Sequence, residues 1–138
     1  MKKRDKIIYW IATVWLGLGM AATGVQQLLH MQVEGALAPP GVYGIEHLGY
    51  PVYFLTLIGL WKILGTMVLL VPGFPLLKEW AYAGFFFLLS GALYSHVASG
   101  NAAAEMFPSL LLLVLTVVSW YYRPADRKIV SRNPTLAV

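Results

Sequence analysis

Residues 7–33 read IIYWIATVWLGLGMAATGVQQLLHMQV, an unbroken run without a charged side chain. About 20 such residues, wound as a helix, cross the hydrocarbon core of a bilayer. The run is therefore a membrane span, and a helix is placed at 7–29. Lys2, Lys3, Arg4 and Lys6 precede it, with Asp5 among them. A cleaved secretory leader also starts basic, but its apolar region is only about 7–15 residues long. The greater length, with Trp10 and Trp15 inside it, predicts a retained span.

Three more spans follow. Residues 51–71 open on Pro51, a residue suited to a helix's first turn, and end at Pro72-Gly73-Phe74-Pro75. Two further helices are expected at 78–98 and 104–122, the last closed by Pro124. The fold class is thus all-α: a four-helix transmembrane domain over residues 1–124, then a short cytoplasmic tail, 125–138. The whole composition agrees. The chain has 138 residues, 59% of them apolar and 12% charged, with a mean hydropathy of +0.68. An ordinary soluble domain carries roughly 25% charged residues. Cysteine is absent, which excludes disulfide and thiolate chemistry within this chain.

Eight of the ten Lys and Arg residues lie in the two end segments. They form no interior basic patch for nucleic acid, and they orient the chain instead: cations collect on the cytoplasmic side. Both termini and the short loop holding Lys78 are expected there, while the loops near 30–50 and 99–105, which lack Lys and Arg, face outward. Aromatic belts are expected from Tyr9, Trp10, Trp80, Tyr82, Trp120, Tyr121 and Tyr122 on the inside and from Tyr50, Tyr53 and Phe107 on the outside. The first outer loop contains a Pro39-Pro40-Gly41 turn and then a short interfacial or re-entrant stretch, 43–50.

Small and polar residues recur at spacings of three and four: Thr13, Gly17, Met20, Gly24 and Gln27 in the first helix, and Thr56, Gly59, Lys62 and Thr66 in the second. Gly84, Leu88, Gly91 and Ser95 repeat the pattern in the third, and Ser109, Leu112, Thr116 and Ser119 in the fourth. Such stripes let membrane helices approach closely, so Gly59, Gly65, Gly84 and Gly91 are expected at helix contacts.

Lys62 stands mid-span, roughly 15 Å from either end of its helix. A lysine at that depth costs about 2.5–3.5 kcal/mol on insertion scales and marks a functional site by default; the alternative is a structural lysine bonded to neighbouring helices. It should face the bundle interior and pair there, with Glu46 or Glu105 favoured over Glu34 and over Glu79, for which a place in a helix's first turn is sufficient reason. Gln27, Ser95, His96 and the three histidines generally fall in the outer half, forming an expected polar vestibule above Lys62. No metal-binding spacing such as HxxxH is present, so no metal is expected.

Gly49-Tyr50-Pro51, Gly59-x-x-Lys62-x-x-Gly65, Pro72, the run Lys78-Glu79-Trp80-Ala81-Tyr82-Ala83-Gly84-Phe85, Gly91-Ala92, Ser95-His96 and Gly100 together resemble the DoxX-like family of small bacterial membrane proteins. The resemblance implies four spans in the bacterial cytoplasmic (inner) membrane and links to quinone-coupled and oxidative-stress complexes. Asn101 stands where the family pattern has an acidic residue, and the lack of cysteine argues against sulfur chemistry.

Three functions compete. One is a subunit or accessory protein binding a quinone-like or other small amphiphile, with Lys62, His96, Ser95, Glu46, Glu105 and Gln27 at the site and Trp61, Tyr94 or Phe87 stacked on its ring. No other cofactor is expected, and an enzyme acting on its own is the less favoured expectation. The second is a minimal transporter or channel, which four short helices without an inverted repeat serve poorly unless they oligomerise. The third is a chaperone-like partner of another membrane or redox protein.

Overall fold

The pre-proline position sets the first boundary. Val71, restricted by Pro72, is extended and ends a helix, Gly73 and Phe74 take left-handed backbone angles, and Pro75 opens the next helix at its first turn. One four-residue signal therefore both stops one span and starts another. The helix expected at 78 begins three residues earlier, which moves Glu79 beyond its first turn.

A computed structural model describes residues 1–30, 44–101 and 103–129. Their helices are α1 (Lys3–Leu28), the single turn α2 (Gly44–His47), α3 (Tyr53–Leu70), α4 (Pro75–Ala98) and α5 (Ala103–Tyr121), followed by a 3-10 turn, Ala125–Arg127. Four of these helices are long and apolar enough to cross a membrane. The Pro39-Pro40-Gly41 turn and Glu34 lie outside the described residues. In the 43–50 stretch, α2 is the short helix.

α1 packs on α3 and α5, and α4 packs on the same two helices. The bundle is a ring with α1 opposite α4. Its core holds Leu16 and Met20 from α1, Leu69 from α3, Tyr82, Phe85 and Leu89 from α4, and Leu115 from α5. Buried hydroxyls join three helices: Ser119 is hydrogen bonded to Thr13 at 2.7 Å and to Tyr82 at 2.7 Å. Tyr9 and Tyr82, expected in an interfacial belt, are core residues instead, 1% and 3% exposed. Both point along the inward stripe of their helices, where their hydroxyls have partners.

The stripe expected on α4 is also corrected. A side chain placed at Gly84 or Gly91 would meet nothing within 4 Å; these glycines face outward. The inward face of α4 carries large residues, because the hollow that receives them is on the neighbour. A Cβ at Gly65 would stand 2.5 Å from the Phe85 ring. At this contact the small residue is needed on one side only.

At the end of the bundle where α1 begins and the Ala125–Arg127 turn lies, two cations close α3. The last carbonyls of a helix have no partner within it. Lys78 donates to the Val68 carbonyl at 2.5 Å and also to that of Val71, while Arg127 donates to the Leu69 carbonyl at 2.7 Å and to the Tyr9 hydroxyl at 3.3 Å. The negative end of the helix dipole favours them there. Arg127, within the tail expected from 125, is thus built into the bundle. Arg127→Ala should lower stability in detergent by about 2 kcal/mol, the scale of a lost charged hydrogen bond; Lys128→Ala, on the exposed side of the turn, should leave it unchanged. Thermal unfolding of the two variants compares them, and equal midpoints would mean that the cap adds nothing.

Candidate functional site

α1 and α3 approach most closely where two glycines meet. A Cβ on Gly59 would lie 2.8 Å from the Gly24 carbonyl oxygen, and one on Gly24 would lie 3.2 Å from the Gly59 carbonyl oxygen. The helices come this near because neither residue has a side chain. Three residues along α3, the Lys62 stem crosses over Gly24, 3.1 Å from where a Cβ would stand. That crossing carries the amine to the preceding residue of α1, and Nζ donates to the Thr23 hydroxyl at 3.1 Å.

The hydroxyl is prepared for this role. Its own hydrogen goes to the Gly19 carbonyl at 2.8 Å, leaving a lone pair for Lys62. Thr66, one turn along α3, donates to the Lys62 carbonyl at 2.8 Å. Lys62 is 7% exposed. An ammonium has three donors, and among the described residues Thr23 is the side chain that receives one.

The carboxylate partner expected for Lys62 is replaced by this hydroxyl. Glu46 lies on α2 and Glu105 in the first turn of α5, both at the far end of the bundle, about half a helix length from a mid-span lysine. Glu79 is at the opposite end, where it pairs with Arg123 and accepts from the Trp120 indole at 3.0 Å.

The other residues expected in the vestibule divide into two groups. Gln27 is one turn beyond Thr23 on α1, and its Oε1 is buried with no hydrogen-bond partner among the described residues. Ser95 and His96 belong to the end of α4 and are engaged locally. The Tyr50 hydroxyl is 2.8 Å from Ser95 Oγ, Ser95 donates to the Gly91 carbonyl at 2.9 Å, and Asn101 Nδ2 donates to His96 Nδ1 at 2.8 Å. His30 is 2.9 Å from the Thr56 hydroxyl. No hydrogen bond links Lys62 to Ser95 or His96. These contacts tie the connecting segments to the helix ends. Among the described residues, no three His, Asp or Glu side chains converge as a metal-holding group.

The expected ring-stacking residues point away from the site. Trp61 is 56% exposed, Phe87 71% and Tyr94 73%. Trp61 adjoins Lys62 in sequence, but one residue is about 100° of helix rotation, so a buried Lys62 sends Trp61 outward. Sequence reasoning missed Thr23. It lies one position off the small-residue stripe of α1, and only the crossing at Gly24 brings the Lys62 amine to it.

Comparison with known proteins gives one family. A family model described as the DoxX-like family matches residues 11–119, most of the chain. No curated protein and no solved structure matches it.

Proposed function

The chain belongs to the DoxX-like family, and from that premise we propose that it is a subunit or accessory protein of the bacterial inner membrane that binds a quinone-like amphiphile at the α1–α3 seam. One observation carries this reading: Lys62 is buried at mid-span with one side-chain acceptor for three donors. Buried donors without partners are costly, and a carbonyl oxygen supplied by a ligand satisfies them. Gln27 Oε1, a turn away, is an acceptor suited to a ligand hydroxyl such as that of a quinol. The site therefore offers donors to the oxidised form and an acceptor to the reduced one.

Native mass spectrometry from mild detergent tests the reading. The chain should carry one amphiphile adduct whose mass and solvent extract identify a carbonyl-bearing ring. A bare chain that takes up no added short-chain quinone would end it.

The proposed orientation places both termini and the Lys78 turn in the cytoplasm, following the positive-inside rule. Alkaline phosphatase fused after Val138 should be inactive. Periplasmic activity of that fusion would reverse the assignment.

A further inference from the structure

The outward face of α1 carries a second feature, independent of Lys62. A shallow trough runs along it, lined by Trp10, Ile11, Val14, Trp15 and Leu18, and continues past Ile7 to Lys3 and Lys6. From the trough we infer a binding site for one anionic phospholipid, its phosphate between Lys3 and Lys6 and an acyl chain laid along the apolar lining.

Three observations support that occupant. The first is charge. Lys3 and Lys6 are three residues apart and so share a helix face, and both border the trough; Arg4 is turned to Asp5, with Nε 3.5 Å from the carboxylate. A pair of cations at one end of an apolar strip complements a lipid with a charged head and an apolar tail.

The second is length. The apolar part runs from Ile7 to Leu18, about 16 Å of helix rise. One leaflet contributes about half of a hydrocarbon core roughly 30 Å thick. The strip is therefore one leaflet deep, with its lysines at headgroup level.

The third is rigidity. The wall at Trp10 is held from inside the bundle: the Arg127 guanidinium lies 5.0 Å from its ring centroid and is itself fixed on the Leu69 carbonyl. A wall already in place costs less to order when a lipid binds.

The test uses the full chain in nanodiscs of equal phosphatidylglycerol and phosphatidylcholine, released into a native mass spectrometer. The wild type should retain one phosphatidylglycerol per chain. Lys3→Gln with Lys6→Gln should lower the ratio of anionic to zwitterionic lipid retained by about thirtyfold, given the attraction of each lysine near an anionic surface. Lys2→Gln with Lys128→Gln removes the same charge outside the trough and should leave the ratio unchanged. Val14→Trp, which adds bulk to the apolar lining without altering charge, should also abolish the retained lipid. An unchanged ratio in the Lys3 and Lys6 variant, or an equal fall in the control, would overturn the site. So would lipid retained by Val14→Trp, or chains that cross-link to one another through position 14, which would give the trough to a second copy.

Discussion

Gly59→Leu should destabilise the protein by about 3 kcal/mol, the upper range for overpacking a close contact, whereas Gly91→Leu should stay within about 0.5 kcal/mol of wild type. The difference lies in what each new side chain meets. At Gly59 the first carbon would stand 2.8 Å from the Gly24 carbonyl oxygen and 3.0 Å from the Leu28 nitrogen. Both are backbone atoms, so no rotamer change relieves the clash and α1 must separate from α3. Because that seam also sets the Lys62–Thr23 contact, any binding at the site should fail together with stability. At Gly91 nothing lies within 4 Å, and leucine is a better helix former than glycine. Thermal aggregation in detergent compares the two. Equal loss at both positions would place Gly91 in a contact that a single chain does not form.

That contrast marks the limit of what the sequence discloses. The four spans are legible because charge-free runs of about 20 residues have few other physical meanings, and their ends fall within a few residues of the proline and glycine signals. The inward faces of α1 and α5 are legible too, since Thr13, Gly17, Met20, Gly24, Thr116 and Ser119 follow helical spacing and are buried. The face of α4 is not, because the stripe rule does not say which helix of a pair supplies the hollow. Here Gly65 supplies it and Phe85 fills it. Lys78 and Arg127 read as topology signals, and the structure gives them a second role on the carbonyls of α3. Residue spacing cannot reveal that role, because the cap depends on where a chain segment after the fourth span folds back.

At the candidate site, the depth of Lys62 was legible and its partner was not. A carboxylate is the usual companion of a buried cation, but the available ones lie near the helix ends. The hydroxyl of Thr23 is reached only because Gly24 and Gly59 bring two helices together. This arrangement also shapes the second large effect. Lys62→Met keeps most of the side-chain length. It leaves Thr23 bonded to Gly19, so no buried donor is orphaned on α1. Replacing a buried ionic group with an apolar one of similar shape is often neutral or stabilising. The variant should therefore fold as well as wild type while losing one charged hydrogen bond to the ligand. Thr23→Val removes the hydroxyl and frees the amine, and should leave ligand binding largely intact.

The central claim, that Lys62 is a donor to a bound carbonyl, is tested most directly by titrating decylubiquinone into nanodiscs containing wild type or Lys62→Met and measuring equilibrium binding. The account predicts saturation at one molecule per chain in wild type. It also predicts at least a tenfold loss of affinity in a normally folded Lys62→Met, the scale of one charged hydrogen bond. Equal affinities in the two folded proteins would contradict it and leave Lys62 as a structural lysine held by Thr23.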